Sequence, residues 1–464
     1  MASTTNLDQT APHIAIFPTA GMGHLMSFLR LATMLATRNC TVTVIASQPT
    51  VSAAESDQLS SFFATHQNIK CLEYHFLPYN PTTDIDPFFA QFIAISNSVH
   101  LLHPLLSNTS PPLSAFIADF TIASSVCKIA TDLSIPTYVL ITTSARFFSL
   151  LACHSQLVEN NAKNGGGEGV DYIELPAGLP PMPLSSIPPP FFNPNHYFSA
   201  IISANAPSFT KVNGILVNTF DWFESATIEV LNSGRVVHDL APILTVGPLE
   251  SFKVGQSLNL PWLDNQPAKS VLFISFGSRN ALSKDQLSEL GVGLEKSGCR
   301  FLWILKGSKV DKQDKEKIEE ILDESFLERT KNKGMVIKGW VNQEQILAHP
   351  AIGGFLSHCG WNSVMEAARQ GVPILAWPQH GDQRVNAQVV ENAGLGLWAR
   401  DWIGEKILVK GGEIEEKIRE IMRRENLAKA SEVREKARHA HEIGGNSEQA
   451  IQGIIEELRH KERS

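Results

Sequence analysis

The sequence predicts an α/β protein of two doubly wound parallel-sheet domains facing each other across a cleft. Two observations carry this. Short apolar runs that end in glycine turns alternate with segments of helical period, and the pattern starts near residue 13 and restarts near residue 271. The 464 residues also suffice for two to three domains of about 150 residues each.

His13–Phe17 is an apolar run closed by Pro18, and a turn with Gly21 and Gly23 follows. Leu25, Phe28, Leu29, Ala32, Leu35 and Ala36 then recur at helical spacing, and Thr41–Ala46 is a β-branched run, so the chain opens on a β-α-β unit. Ala115–Ala118 and Thr137–Ile141 are further strands. Asn164–Gly169 reads as a flexible loop, and Leu175–Pro194, with eight prolines, as extended or looped chain. In the second half, Val271–Phe276 is a strand, Gln286–Lys296 a helix and Phe301–Leu305 a strand. The charged stretch Lys309–Lys333 reads as a solvated helical face. Met335–Ile337, Gly354–Leu356 and Ile374–Ala376 are short buried strands. Ile414, Ile418, Ile421 and Met422 line one late helix, and Ile451, Ile454, Ile455 and Leu458 another. The domain boundary falls between Pro242 and Pro261. We expect an N-terminal domain over 1–245, a linker over 246–262, a C-terminal domain over 263–443 and a terminal segment over 444–464.

Composition narrows the function. A net charge of −8 argues against a general nucleic-acid binder. The first basic residue is Arg30, so the N-terminus lacks the positive region of a secretory signal. The apolar stretch Phe88–Leu106 is broken by six polar residues, so no membrane span is expected. Six scattered cysteines without a Cys-x-x-Cys pair read as reduced thiols, excluding a disulfide scaffold or zinc ribbon and pointing to a cytoplasmic enzyme.

In doubly wound domains ligands bind beyond the carboxyl edges of the strands. Gly21-Met-Gly-His24 follows the first strand there. It half-matches a dinucleotide fingerprint, but Met26 occupies the third glycine position and no acid ends the second strand, which disfavours NAD. His24 stands at a helix N-terminus, whose dipole favours neutral imidazole. Taken alone it reads as a surface histidine at a helix end. Asp119, at the end of another strand, is either a partner fixing the His24 tautomer or the N-cap of the next helix. The segment Gly353–Ser363 runs strand, tight turn, helix, and such a helix N-terminus is an anion site to which His358, Asn362 and Ser363 add donors. Ser363-x-x-Glu366 equally fits a capping box. Pro378–Gln383 is a polar strand end suited to a hydroxyl-rich ligand, and Trp340 offers a stacking face or is a core aromatic.

Trp340-x-x-Gln343, His358-Cys-Gly360-Trp-Asn-Ser363-x-x-Glu366, Gly371-Val-Pro373, Pro378 and Asp382-Gln383 together resemble, without a gap, the signature of plant secondary-product UDP-glycosyltransferases. The resemblance implies two Rossmann-like domains facing across a cleft, the GT-B fold, with a last helix, here within Gly444–Leu458, returning to the first domain. It implies that His24 is the catalytic base and Asp119 its partner. Trp340 would stack on uracil, paired by the Val341 backbone, and Gln343 and Glu366 would hold the ribose. His358, Gly360, Asn362, Ser363 and Ser278 would hold the diphosphate. Trp361, Asp382, Gln383 and Thr143 would bind the sugar, and a terminal Gln goes more often with UDP-glucose than UDP-galactose.

Asp86-Pro87-Phe88, the run Ile187–Pro194 and the Gly-Met-Gly-His turn further resemble the plant C-glycosyltransferase branch acting on 2-hydroxyflavanones, dihydrochalcones and phloroglucinol ketones. An acceptor wall of Asp86, Pro87, Phe88, Phe148 and Phe191 follows, each phenylalanine being equally a core residue. The expected enzyme is an inverting UDP-glucose-dependent C-glucosyltransferase on polyphenols, with an O-glucosyltransferase as the alternative. It would be a monomer with no cofactor and no metal, since the helix N-terminus at Asn362 and His358 can stabilise the leaving UDP, and Asp84-Ile-Asp86, in an irregular segment, only superficially resembles the metal-binding Asp-x-Asp of another glycosyltransferase fold. A dehydrogenase lacks its fingerprint here, and a mere sugar-nucleotide binder would have no use for the His/Asp pair.

Overall fold

The computed structural model describes residues 11–79, 85–163, 171–252, 260–277, 279, 281–306, 317–339, 341–402 and 407–461. Seven parallel strands form the first sheet: β1 (His13–Phe17), β2 (Thr41–Gln48), β3 (Ile69–His75), β4 (Ala115–Asp119), β5 (Thr137–Ile141), β8 (Gly214–Val217) and β9 (Ile243–Thr245). Their order is β3-β2-β1-β4-β5-β8-β9. A two-stranded antiparallel ribbon, β6 (Tyr172–Ile173) with β7 (Met182–Pro183), stands apart from it. The second sheet contains β10 (Val271–Ser275), β11 (Arg300–Leu305), β12 (Gly334–Lys338), β13 (Ile352–Ser357), β14 (Ile374–Ala376) and β15 (Gly396–Trp398), in the order β12-β11-β10-β13-β14-β15. In both sheets the order reverses beside the first strand, which opens a crevice at the carboxyl ends of β1 and β4, and of β10 and β13.

The central strands are buried along their whole length, as helices covering both faces require, which is why they read as continuous apolar runs. β12 differs from expectation. It is half-buried throughout because it is an edge strand. Four strands of the main sheets have no counterpart in the sequence reading. β3 buries only Ile69 and Tyr74, five residues apart, so it shows no alternation, and β8, β9 and β15 are too short to show a period. The proline-rich stretch forms 3-10 turns and the β7 half of the ribbon. Only Ile318–Ile321 and Glu324–Thr330 are described as helix within the charged stretch. The Asn164–Gly169 loop and Asp84 lie outside the described residues.

The last helix, Asn446–Lys461, inserts Ile451, Ile454, Ile455 and Leu458 into the core formed by β1, β2 and the helix Met22–Thr37 of the first domain. Burying four such side chains favours this docking by roughly 1.5–3 kcal/mol each. Arg38 pairs with Glu448, and Ser447 Oγ donates to the Gly247 carbonyl at 2.7 Å. The preceding helix, Arg424–His441, packs Ala430, Val433 and Ala437 on the second domain. The two helices thus strap one domain to the other.

Candidate active site between the two domains

Gly21 holds φ at +106°, a conformation an L side chain rarely adopts, and turns the chain from β1 into the helix Met22–Thr37. His24 occupies the first turn of that helix. β1 and β4 are neighbours and parallel, so Asp119, the last residue of β4, arrives at the same edge. The imidazole Nδ1 lies 2.6 Å from Asp119 Oδ2, with the aspartate fully buried and the histidine 23% exposed. The other oxygen, Oδ1, accepts from the Thr121 backbone N–H at 2.9 Å and its hydroxyl at 2.7 Å. Both readings of Asp119 therefore hold, since one oxygen caps the following turn and the other orients the histidine. A carboxylate only accepts, so the proton sits on Nδ1 and Nε2 is the basic nitrogen.

Burial pulls the His24 imidazolium down, and the Asp119 charge and hydrogen bond push it up harder, so its pKa ends above the ordinary histidine value. The helix dipole, expected to keep His24 neutral, is overridden by this carboxylate. The Phe120 ring lies 5.7 Å from the imidazole and the Phe92 ring 5.8 Å. The imidazole is thus stacked near Phe120 and meets Phe92 at a tilt.

Across the cleft, β13 ends at Ser357 and the helix Trp361–Gln370 begins four residues later. Its N-cap is Gly360, with no side chain capping it, so the first-turn N–H groups stay available to an anion. The capping box expected of Ser363 and Glu366 is absent, because the helix starts earlier than that motif assumes and both residues lie inside it. Their side chains face a network instead. Gln343 Nε2 donates to Ser363 Oγ at 2.9 Å and to Glu366 Oε2 at 2.7 Å. His358 fits between two glycines. A Cβ on Gly277 would stand 2.5 Å from its Nε2 and one on Gly360 2.6 Å, and Gly277 also has φ at +76°. Burial first, and the neighbouring His380 second, push the His358 pKa down to about 4. The ring is therefore neutral near pH 7.

The two halves interlock around these groups. Asn362 Nδ2 donates to the Gly23 carbonyl at 2.8 Å, and Ser27 Oγ donates to Asn362 Oδ1 at 2.8 Å. Thr143 donates to Asp382, and Asn386 Nδ2 donates to the same carboxylate oxygen at 2.8 Å. Arg30 forms a buried pair with Glu366. Asp86 Oδ2 lies 2.9 Å from Arg279 Nη2, and the Arg279 guanidinium sits 3.7 Å over the Phe88 ring. Asp86 also caps the helix Pro87–Ser98, accepting from Phe88 N at 2.9 Å.

The cleft thus gathers His24, Asp119, Asp86, Phe88, Thr143, Gln343, His358, Gly360, Asn362, Ser363, Glu366 and Asp382. Pro87 is exposed beside Phe88 and Val341 is half-buried on the second core. Trp361 is present, but its indole N–H donates to the Asn218 carbonyl at 2.8 Å and its ring packs near Phe223, so its side chain is structural. Gln383 Oε1 accepts from the backbone of Gln379 at 2.8 Å and His380 at 3.0 Å, which shapes the polar loop. Phe148 and Phe191 correct the acceptor wall. Both are fully buried in the first domain's second core, where Phe148 meets Phe209 and Phe191 meets His154. Phe92 and Phe120 stand beside His24 in their place. Phe92 follows Phe88 by one helical turn, a signal the sequence carried. Ser27, Arg30, Glu344 and Asn386 were missed, since the partners they have in the other domain are remote in sequence. Ser278 and Trp340 lie outside the described residues.

No group of three or more His, Cys, Asp or Glu side chains that would hold a metal gathers among the described residues. No described helix is long and apolar enough to cross a membrane.

The family model described as UDP-glucoronosyl and UDP-glucosyl transferase matches residues 195–432. UDP-glycosyltransferase 708G2 of Citrus unshiu is 46% identical over 460 residues, covering 97% of each chain. UDP-glycosyltransferase CGT of Oryza sativa subsp. indica is 42% identical over 461 residues, again with 97% of each chain. The crystal structure of LpCGTa in complex with UDP is 42% identical and superposes with a TM-score of 0.83, over 97% of this chain and 99% of that one.

Proposed function

The chain belongs to the UDP-glucoronosyl and UDP-glucosyl transferase family and is a GT-B UDP-sugar glycosyltransferase, and from that premise we propose that it transfers glucose from UDP-glucose, with inversion, to a ring carbon of a phloroglucinol-type polyphenol. The observation that carries the mechanism is the 2.6 Å His24–Asp119 pair standing where the uncapped helix Trp361–Gln370 meets the first turn of the His24 helix.

His24 Nε2 takes a phenolic proton from the acceptor, and Asp119 stabilises the imidazolium that results. The phenolate charge spreads to the ortho carbon, which attacks C1 of the sugar. The C1–O bond to UDP breaks, UDP leaves with the electron pair, the ring carbon gives its proton to water to restore aromaticity, and His24 returns the phenolic proton to the oxygen. The helix N-terminus at Asn362 and Ser363, with neutral His358, meets the negative charge developing on the departing diphosphate, so the step calls for no metal. Gln343 and Glu366 hold the ribose, and Thr143, Asp382 and Gln383 serve the sugar. Trp340 and Ser278 keep their proposed places at uracil and diphosphate.

Carbon is chosen over oxygen by which acceptor atom is held in line with C1, about 3–3.5 Å away. Three features support carbon. The Phe88 ring of Asp86-Pro87-Phe88 lies against the Gly21 turn, the Phe92 and Phe120 rings stand near His24, and relatives named CGT match along 97% of the chain. We further propose a cytoplasmic monomer. The test is to incubate the protein with UDP-glucose and phloretin and to heat the product in acid. A C–C bond has no acetal oxygen to protonate, so no glucose should be released. Free glucose with intact aglycone would assign O-transfer instead.

A further inference from the structure

Arg30 lies two turns along the helix that bears His24. It is 3% exposed, and it reaches out of its own domain into the other. Its Nη2 donates to Glu366 and also stands 3.3 Å from Glu344 Oε2. Both carboxylates are buried, and Glu344 lies 3.9 Å from Arg369. Arg30 Nε and Nη1 make no hydrogen bond. As a fold-stabilising device this is poor, because a buried guanidinium with two unpartnered nitrogens carries a desolvation cost that an apolar side chain of the same length would avoid.

What the arrangement does accomplish is to fix one carboxylate. Glu366 has Oε1 held by Arg30 from the first domain and Oε2 held by Gln343 from the second. An ionised carboxylate accepts about four hydrogen bonds, so one site on each oxygen remains for a vicinal diol. Without Arg30, Glu366 would keep only the Gln343 contact on Oε2, its Oε1 would be left buried and unheld, and its orientation would be lost.

We propose that Arg30 is a positioning residue for the donor's ribose: it holds Glu366 aimed at the ribose hydroxyls, and ties the His24 helix to an occupied donor site. This rests on the assignment of Glu366 to the ribose made above. The test is calorimetric binding of UDP and of 2′-deoxyuridine diphosphate to the full chain. The wild type should prefer UDP, and Glu366→Ala should abolish that preference. Arg30→Met should weaken UDP by about 10-fold to 100-fold, as loss of charge-assisted hydrogen bonds does. It should leave the deoxy nucleotide within about 3-fold, so that the preference collapses too. In turnover the KM for UDP-glucose should rise more than kcat falls, and Arg30→Lys should recover part of the preference. Should Arg30→Met not fold, Arg30→Met with Glu344→Gln removes the surplus buried charge and is read the same way. A preference retained without Arg30 but lost without Glu366 would overturn the proposal and leave the ribose assignment standing. A wild type without preference, or Glu366→Ala keeping it, would overturn both.

Discussion

Asp119→Asn is the most informative change to the catalytic pair. The oxygen that faces Thr121 stays an acceptor, so the cap should survive and the fold with it. The atom facing His24 Nδ1 becomes an N–H donor in place of an acceptor 2.6 Å away. The imidazole must then place its proton on Nε2, where it can no longer take one from a phenol. Loss of general-base catalysis costs about 10²–10⁴-fold, and His24→Ala sets the upper end of that range. The pH dependence carries a second signature. In the wild type the base works when neutral, and Asp119 holds its pKa above the ordinary value of 6.5, so kcat/KM should rise with pH through a limb lying above 6.5. With the carboxylate charge gone, burial is left as the dominant influence, and the residual activity should rise through a limb below 6.5. The assay is initial rates on phloretin from pH 5 to 9 with saturating UDP-glucose, alongside calorimetric UDP binding, which should be unchanged. A variant within about 3-fold of wild type, or one whose limb stays above 6.5, would refute the pairing as the source of basicity.

Gly277→Ala places a Cβ 2.5 Å from His358 Nε2 at a φ of +76°, and should weaken UDP binding by about 10-fold through displacement of that ring; calorimetry reads it. Ile455→Ala empties a fully buried site in the core of the first domain, and should lower stability by about 2–5 kcal/mol, measured as a fall in the denaturant midpoint. Chelation with EDTA should leave the transfer rate unchanged, since the diphosphate is met by helix N–H groups and neutral donors; a loss restored by magnesium would count against that.

The strands at the centres of both sheets, the Gly-Met-Gly-His turn and the helix that follows the second glycine-containing turn were all legible in the chain. Each depends on neighbours a few residues away: apolar runs for strands covered on both faces, a glycine for a positive φ, a period of 3.6 for an apolar helix face. The resemblance added roles because its motif is itself local. Local signals also misled where the frame was wrong. Ser363 and Glu366 have the spacing of a capping box, yet the helix begins at Trp361, and only the register of the fold could show it. Phe148 and Phe191 looked like acceptor contacts and are core, because burial depends on which face of the sheet a helix covers.

Whether Asp119 caps a turn or holds His24 was undecidable until β4 was placed beside β1, and the answer was both. The contacts that make one site of two domains join residues hundreds of positions apart: Ser27 with Asn362, Thr143 with Asp382, Arg30 with Glu366. Nothing near any of these residues marks its partner, because an ion pair or hydrogen bond is specified by position in space and leaves no period in the chain. Local chemistry along the chain therefore set which surfaces could bind phosphate or accept a proton. The docking of one domain on the other, strapped by the last two helices, set that they face each other, and it turned an ordinary buried arginine into a neighbour of the donor site.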